Sequence, residues 1–103
     1  IVFSRTLKES KWGNTTLASG DLVEEVEKIK RRDGRDIIVY GGANFVSNLI
    51  GENLIDEYNL FVNPTAIGRG LTIFGSLDDK KLSLKLSRSQ AYDCGIVVNT
   101  YLK

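Results

Sequence analysis

The segment DIIVYGGANFVSNLI, Asp36 to Ile50, constrains this chain more than any other. A β-branched apolar run of strand length ends at Gly41-Gly42, and an amphipathic pattern begins at once. That spacing predicts a strand, a tight turn and a helix. Two glycines at the junction let the backbone approach something closely, and the helix N-terminus behind them carries partial positive charge. This is the geometry of a phosphate seat. The same residues serve equally as a tight turn with close helix–sheet packing. Neither G-x-G-x-x-G spacing nor a G-K-[ST] ending is present, so a phosphate held here needs a different architecture.

The rest of the chain narrows the classes. At 103 residues it is one domain at most, residues 1–103, with 33 Leu, Ile, Val and Phe residues to build a small core. A net charge of +1 with interspersed acids and bases argues against a nucleic-acid surface. The one basic run, Lys28 to Arg32, falls at the end of a predicted helix, where cations complement the dipole. Cys94 is the single cysteine and there is no histidine, which excludes an internal disulfide, a zinc cluster and a Ser-His or Cys-His nucleophile within the chain. No apolar run is long enough to span a membrane and no signal peptide is visible, so a cytoplasmic setting is the default expectation. The chain opens on Ile1 and a strand already under way, the start expected of a piece of a longer protein.

Along the sequence, Ile1 to Phe3 reads as a short buried strand followed by the polar loop SRTLKES, and Thr15 to Ala18 as a second strand. A helix is expected from about Asp21 to Arg32, with Leu22, Val23, Val26 and Ile29 on one face and either Asp21 or Ser19 as its cap. Ile37 to Tyr40 reads as a strand buried on both faces. With the helix of Ala43 to Ile50 and a strand from Glu57 to Asn63, it predicts a right-handed crossover between parallel strands. Alternation over Lys81 to Ser87 predicts an antiparallel strand, turned near Tyr92 to Gly95 into a return through Ile96, Val98, Thr100 and Leu102. The class is α/β with a C-terminal antiparallel hairpin.

Taken in order, VFSRT, SGDLVEEVEKIK, DIIVYGGANFVSNLI, LIDEYNLFVNPTAIGRGLTIF and the terminal hairpin together resemble one family. The chain looks like the C-terminal portion of a dihydrofolate-reductase-fold protein, a mixed sheet flanked by helices. It is closer to the branch typified by the reductase domain of bacterial riboflavin biosynthesis than to dihydrofolate reductases proper. The resemblance covers essentially all 103 residues.

That resemblance implies NADPH as cofactor, lying across the C-terminal ends of the parallel strands. Ser4, Arg5 and Thr6 would then meet the adenosine ribose and its 2′-phosphate, a role that suits a forked cation and two hydroxyls. Ser19, with Gly20, would edge the adenine, although helix capping explains both equally well. Gly41 and Gly42 would be the family's glycine pair, often joined by a cis peptide, beneath the pyrophosphate. The amides of Ala43, Asn44 and Phe45 would donate to its oxygens. Asp56 and Glu57 read as structural, and Arg69 as a candidate contact to an anionic substrate.

The family's N-terminal part is absent from the sequence, and with it the substrate loop and the proton donor, so no catalytic residue is named. The expected activity is NADPH-dependent reduction of a small molecule by the full-length protein, the fragment alone being inactive. In the riboflavin branch the substrate is a ribosylaminopyrimidine phosphate, 5-amino-6-(5-phosphoribosylamino)uracil. The alternatives are dihydrofolate reduction and a non-catalytic nucleotide-binding or structural remnant. A homodimer through the C-terminal strands is expected from the resemblance. In the family's fold the missing first strand lies between Ile37–Tyr40 and Glu57–Asn63. A folded 103-residue species is therefore expected to close that gap by direct pairing or with a strand from another chain.

Overall fold

The computed structural model describes all 103 residues, and they fall into two compact units, Ile1–Ile38 and Val39–Lys103. In the first unit β1 (Val2–Phe3) pairs in parallel with β2 (Leu17–Ala18), with Val2 opposite Leu17 and Phe3 opposite Ala18. The ladder is closed by Val2 N–H donating to the Thr16 carbonyl (2.8 Å) and Ser4 N–H to that of Ala18 (3.0 Å). Helix α1 (Leu22–Lys30) follows. Asp21 is its cap: one carboxylate oxygen accepts the amides of Val23 (3.0 Å) and Glu24 (3.1 Å), so Ser19 is released from that duty. Leu22, Val23, Val26 and Ile29 are all half-buried, as the helical spacing requires. At the other end Lys28 pairs with Glu25 (2.8 Å), which holds the lysine's pKa above its ordinary value.

The second unit carries α2 (Ala43–Gly51), β3 (Glu57–Val62), a 3-10 turn (Gly75–Leu77), β4 (Lys85–Ala91) and β5 (Val97–Leu102). Its sheet has the order β3-β5-β4 and is antiparallel throughout. The buried core of this unit is Leu49, Ile50, Leu54 and Tyr58, with Ser47 as its one buried polar residue. Lys103 ties the strand ends together: its ammonium donates to the Asn53 carbonyl (2.9 Å) and lies 3.4 Å from Asp56. Asp56, read from the sequence as structural, takes this exposed ion pair at the strand end.

Three expectations need correction. Ile37–Tyr40 is not a strand: no ladder includes it, and its side chains are exposed, Ile38 to 70% and Tyr40 to 94%. A β-branched run becomes a strand only when neighbours take its backbone groups, and here none does. The parallel crossover to β3 is accordingly absent, and direct pairing of 37–40 with β3 does not occur. The β3 ladder runs to β5 instead, from Glu57 opposite Leu102 to Val62 opposite Val97. Finally, the leucine alternation at Leu82, Leu84 and Leu86 does not mark the strand. The ladder spans Lys85–Ala91, because the turn at Tyr92–Gly95 sets its register. That turn is closed by Gly95 N–H donating to the Tyr92 carbonyl (2.9 Å), and Gly95 has φ +91°, which favours glycine.

Candidate functional site

In the first unit, β1 and β2 run side by side, so the loops leaving their C-terminal ends emerge together. Phe3 lies opposite Ala18, which sets Ser4 beside the Ser19 end of the pair. The end of a parallel strand pair is where open α/β sheets place ligands. Ser4 is half-buried, and its hydroxyl oxygen accepts the amides of Thr6 (3.2 Å) and Leu7 (3.0 Å). This turn curls the SRT loop on itself. Arg5 and Thr6 are exposed. The structure therefore brings Ser4, Arg5, Thr6 and Ser19 to one strand end. Gly20 packs under the Glu25 side chain, where an added Cβ would meet the carboxylate at 2.8 Å.

In the second unit the chain reaches α2 through Gly41 and Gly42, joined by a cis peptide. Gly41 has φ +140°, a conformation that side chains rarely adopt. An added Cβ at either glycine meets nothing within 4 Å, so the space above the pair is open. Gly42 is the N-cap of α2 and makes no side-chain cap hydrogen bond, and no acid lies in the first turn. The contrast with α1 is chemical. There Asp21 occupies the amides, and Glu24 and Glu25 add negative charge, so that terminus is self-neutralised. At α2 the amides of Ala43 and Asn44 lead the helix with no internal anion to receive them. Phe45, in the same first turn, is half-buried.

The far end of the AIGRGLTIF loop is pinned to α2 by a contact the sequence reading did not isolate. Ser76 N–H donates to the Ser47 hydroxyl (2.8 Å), Ser47 donates to the Ser76 hydroxyl (2.9 Å), and Ser76 donates to Asn48 Oδ1 (3.2 Å). Gly51 lies one turn after Ser47, and a Cβ on it would meet the Ser76 Cβ and carbonyl at 3.0 Å. Ser47 and Gly51 at i and i+4 were the legible signal: a small-residue strip on one helix face for close packing. Arg69, in the middle of that loop, is exposed.

A parallel pair with polar loops at its C-terminal end, an uncapped helix behind a glycine pair and an antiparallel three-stranded sheet are the parts of a dihydrofolate-reductase-like α/β fold. Comparison bears this out. The structure matches that of the "Putative riboflavin biosynthesis protein" from Shewanella sp. PV-4 with a TM-score of 0.82 and 25% identity, over 97% of this chain and 57% of that one. The family model for the RibD C-terminal domain matches residues 1–98, and the chain belongs to that family. Among curated relatives, the uncharacterized YyaP of Bacillus subtilis is 34% identical over 101 residues, 97% of this chain and 52% of YyaP. YwjB of the same organism, also uncharacterized, is 36% identical over 59 residues, 56% of this chain and 34% of YwjB. The chain thus spans half the length of YyaP and a third of that of YwjB. No helix is long and apolar enough to cross a membrane.

Proposed function

We propose that this chain is part of an NADPH-dependent reductase with a small-molecule substrate, each unit by itself offering groups suited to a part of the coenzyme. The observation that carries the reading is the open N-terminus of α2 behind Gly41-Gly42, with no side-chain cap, no acid and no atom in the space above the glycines. That donor set fits a pyrophosphate, which is anionic and needs amide donors and close backbone approach. The amides of Ala43 and Asn44 would donate to the phosphate oxygens. Arg5 would provide a forked cation for a 2′-phosphate, and the Ser4 proton and Thr6 hydroxyl would donate alongside it. When bound, NADPH supplies the hydride; the work of this chain is to fix the coenzyme's anionic spine in place.

The family and the riboflavin-associated neighbour favour a ribosylaminopyrimidine phosphate as substrate, its ribose being reduced to a ribityl chain at C1′. The test is a fluorescence titration of the full-length protein with NADPH and with NADH. A Cβ at Gly42 meets nothing within 4 Å and the φ of −77° suits any residue, so Gly42→Val is expected to fold, which circular dichroism checks. It is expected to raise the NADPH dissociation constant about tenfold, ~1.4 kcal/mol, by filling the phosphate's space. Arg5→Ala is expected to abolish the preference for NADPH over NADH. Unchanged NADPH affinity in a folded Gly42→Val protein refutes the glycine assignment, and an unchanged preference in Arg5→Ala refutes that of the guanidinium.

A further inference from the structure

Beside the β1–β2 strand end stands an ion pair that the proposed function leaves unused. Glu25 lies in the first turn of α1. Side chains of a helix tilt toward its N-terminus, so Glu25 leans back over the junction where β2 gives way to the helix. It comes to rest on Gly20: a Cβ there would meet Glu25 Oε1 at 2.8 Å, Cγ at 3.2 Å and Cδ at 3.3 Å. The missing side chain of Gly20 leaves that space, and the carboxylate lies against the backbone next to Ser19. The same oxygen receives the Lys28 ammonium at 2.8 Å, one turn further along. Lys28 is the outer member of the pair, its side chain 60% exposed against 24% for Glu25. Asp21, the other acid at this junction, is engaged by the Val23 and Glu24 amides.

A carboxylate beside the adenosine ribose is the group that selects an unphosphorylated coenzyme. It accepts a hydrogen bond from the ribose 2′-hydroxyl and repels a 2′-phosphate, whereas a guanidinium accommodates the phosphate. Glu25 by itself therefore opposes Arg5, which is exposed at the same strand end. We infer that Lys28 sets coenzyme preference by masking Glu25, the ion pair cancelling an acid that would otherwise turn the β1–β2 end toward NADH. This rests on the reading that the strand end receives the adenosine ribose. Lys28 is a positioning residue: it acts through Glu25 without touching the coenzyme.

Fluorescence titration of the full-length protein with NADPH and with NADH at low salt tests this, with circular dichroism confirming that each variant is folded. Lys28→Ala bares the carboxylate and is expected to lower the preference for NADPH roughly fivefold, an effect that shrinks as salt is added. Lys28→Arg keeps the cation and should keep the preference. Glu25→Gln removes the acid, so Lys28→Ala added to it should change the preference by less than about twofold. An ordinary pair on a helix surface predicts no change of preference in any of these proteins.

An unmoved preference in Lys28→Ala, where Arg5→Ala removes it, overturns the inference and leaves the reading of the strand end standing. An equal loss in the wild-type and Glu25→Gln backgrounds also overturns it, since Lys28 would then act directly on the phosphate. If neither Arg5→Ala nor Lys28→Ala moves the preference, or the wild type binds both coenzymes alike or neither, the reading itself falls and the inference with it.

Discussion

Tyr58→Phe should make this protein more stable. The residue is only 4% exposed, and its hydroxyl is buried with no hydrogen-bond partner. A hydroxyl taken from water and left unpaired costs ~1–3 kcal/mol, whereas the ring beside it contributes favourable burial. Phenylalanine keeps the ring and removes the penalty, so the expected gain is about 1 kcal/mol, or roughly 4–8 °C in Tm for a domain of this size. Urea unfolding followed by circular dichroism reads the change, with the slope unchanged because the buried surface is the same. The pH dependence gives a second readout. Burial pushes the Tyr58 phenol above its ordinary value, and the negative charge of Asp56 adds to the shift. Because the folded value is the raised one, the stability that depends on the neutral phenol is complete below about pH 10, the unfolded value, and is lost as pH climbs through the raised value. The advantage of the phenylalanine variant should therefore widen in that alkaline window. A destabilisation of about 1 kcal/mol or more at neutral pH would refute the reasoning, since it would mean that the hydroxyl has a partner.

Two other substitutions probe the two helices, one in each unit. Asp21→Ala removes the carboxylate that accepts the Val23 and Glu24 amides and should cost about 1 kcal/mol, read as a lower urea midpoint; Asp21→Asn should retain most of the stability. Gly51→Val drives a side chain into the Ser76 backbone, where even a Cβ sits at 3.0 Å, and should destabilise by ~1–3 kcal/mol, with a matching drop in Tm.

Much of this architecture is legible in the sequence where the signal is local. Asp21 three residues before Glu24 and four apolar positions at helical spacing give α1. A glycine pair followed by Ala43, Val46, Leu49 and Ile50 gives α2. Tyr92-Asp93-Cys94-Gly95 gives the hairpin, because one residue there must take a positive φ. The misreadings share one cause. Ile37–Tyr40 has strand composition, but pairing depends on what lies beside it, and no short window contains that information. The leucines at 82, 84 and 86 alternate as a strand would, yet the turn that begins at Tyr92 fixes which backbone groups meet. A bulge between Leu86 and Arg88 then shifts the register again. The candidate site divides along the same line. The open amides at α2 follow from the absence of any capping side chain at Gly41-Gly42. Ser4 could not be read as the hinge of its own turn, nor Ser47 and Ser76 as partners 29 residues apart.

The middle strand of the antiparallel sheet is the last of the three in chain order. During synthesis β3 and then β4 leave the ribosome with no ladder to join, since neither pairs with the other. Only when β5 emerges can the hairpin zip and β3 dock across the 45 residues that separate Glu57 from Leu102. Until then the backbone groups of β3 and β4 have no ladder to enter and can pair with the edge of another chain, which makes the interval before β5 appears the one in which this polypeptide is most open to aggregation.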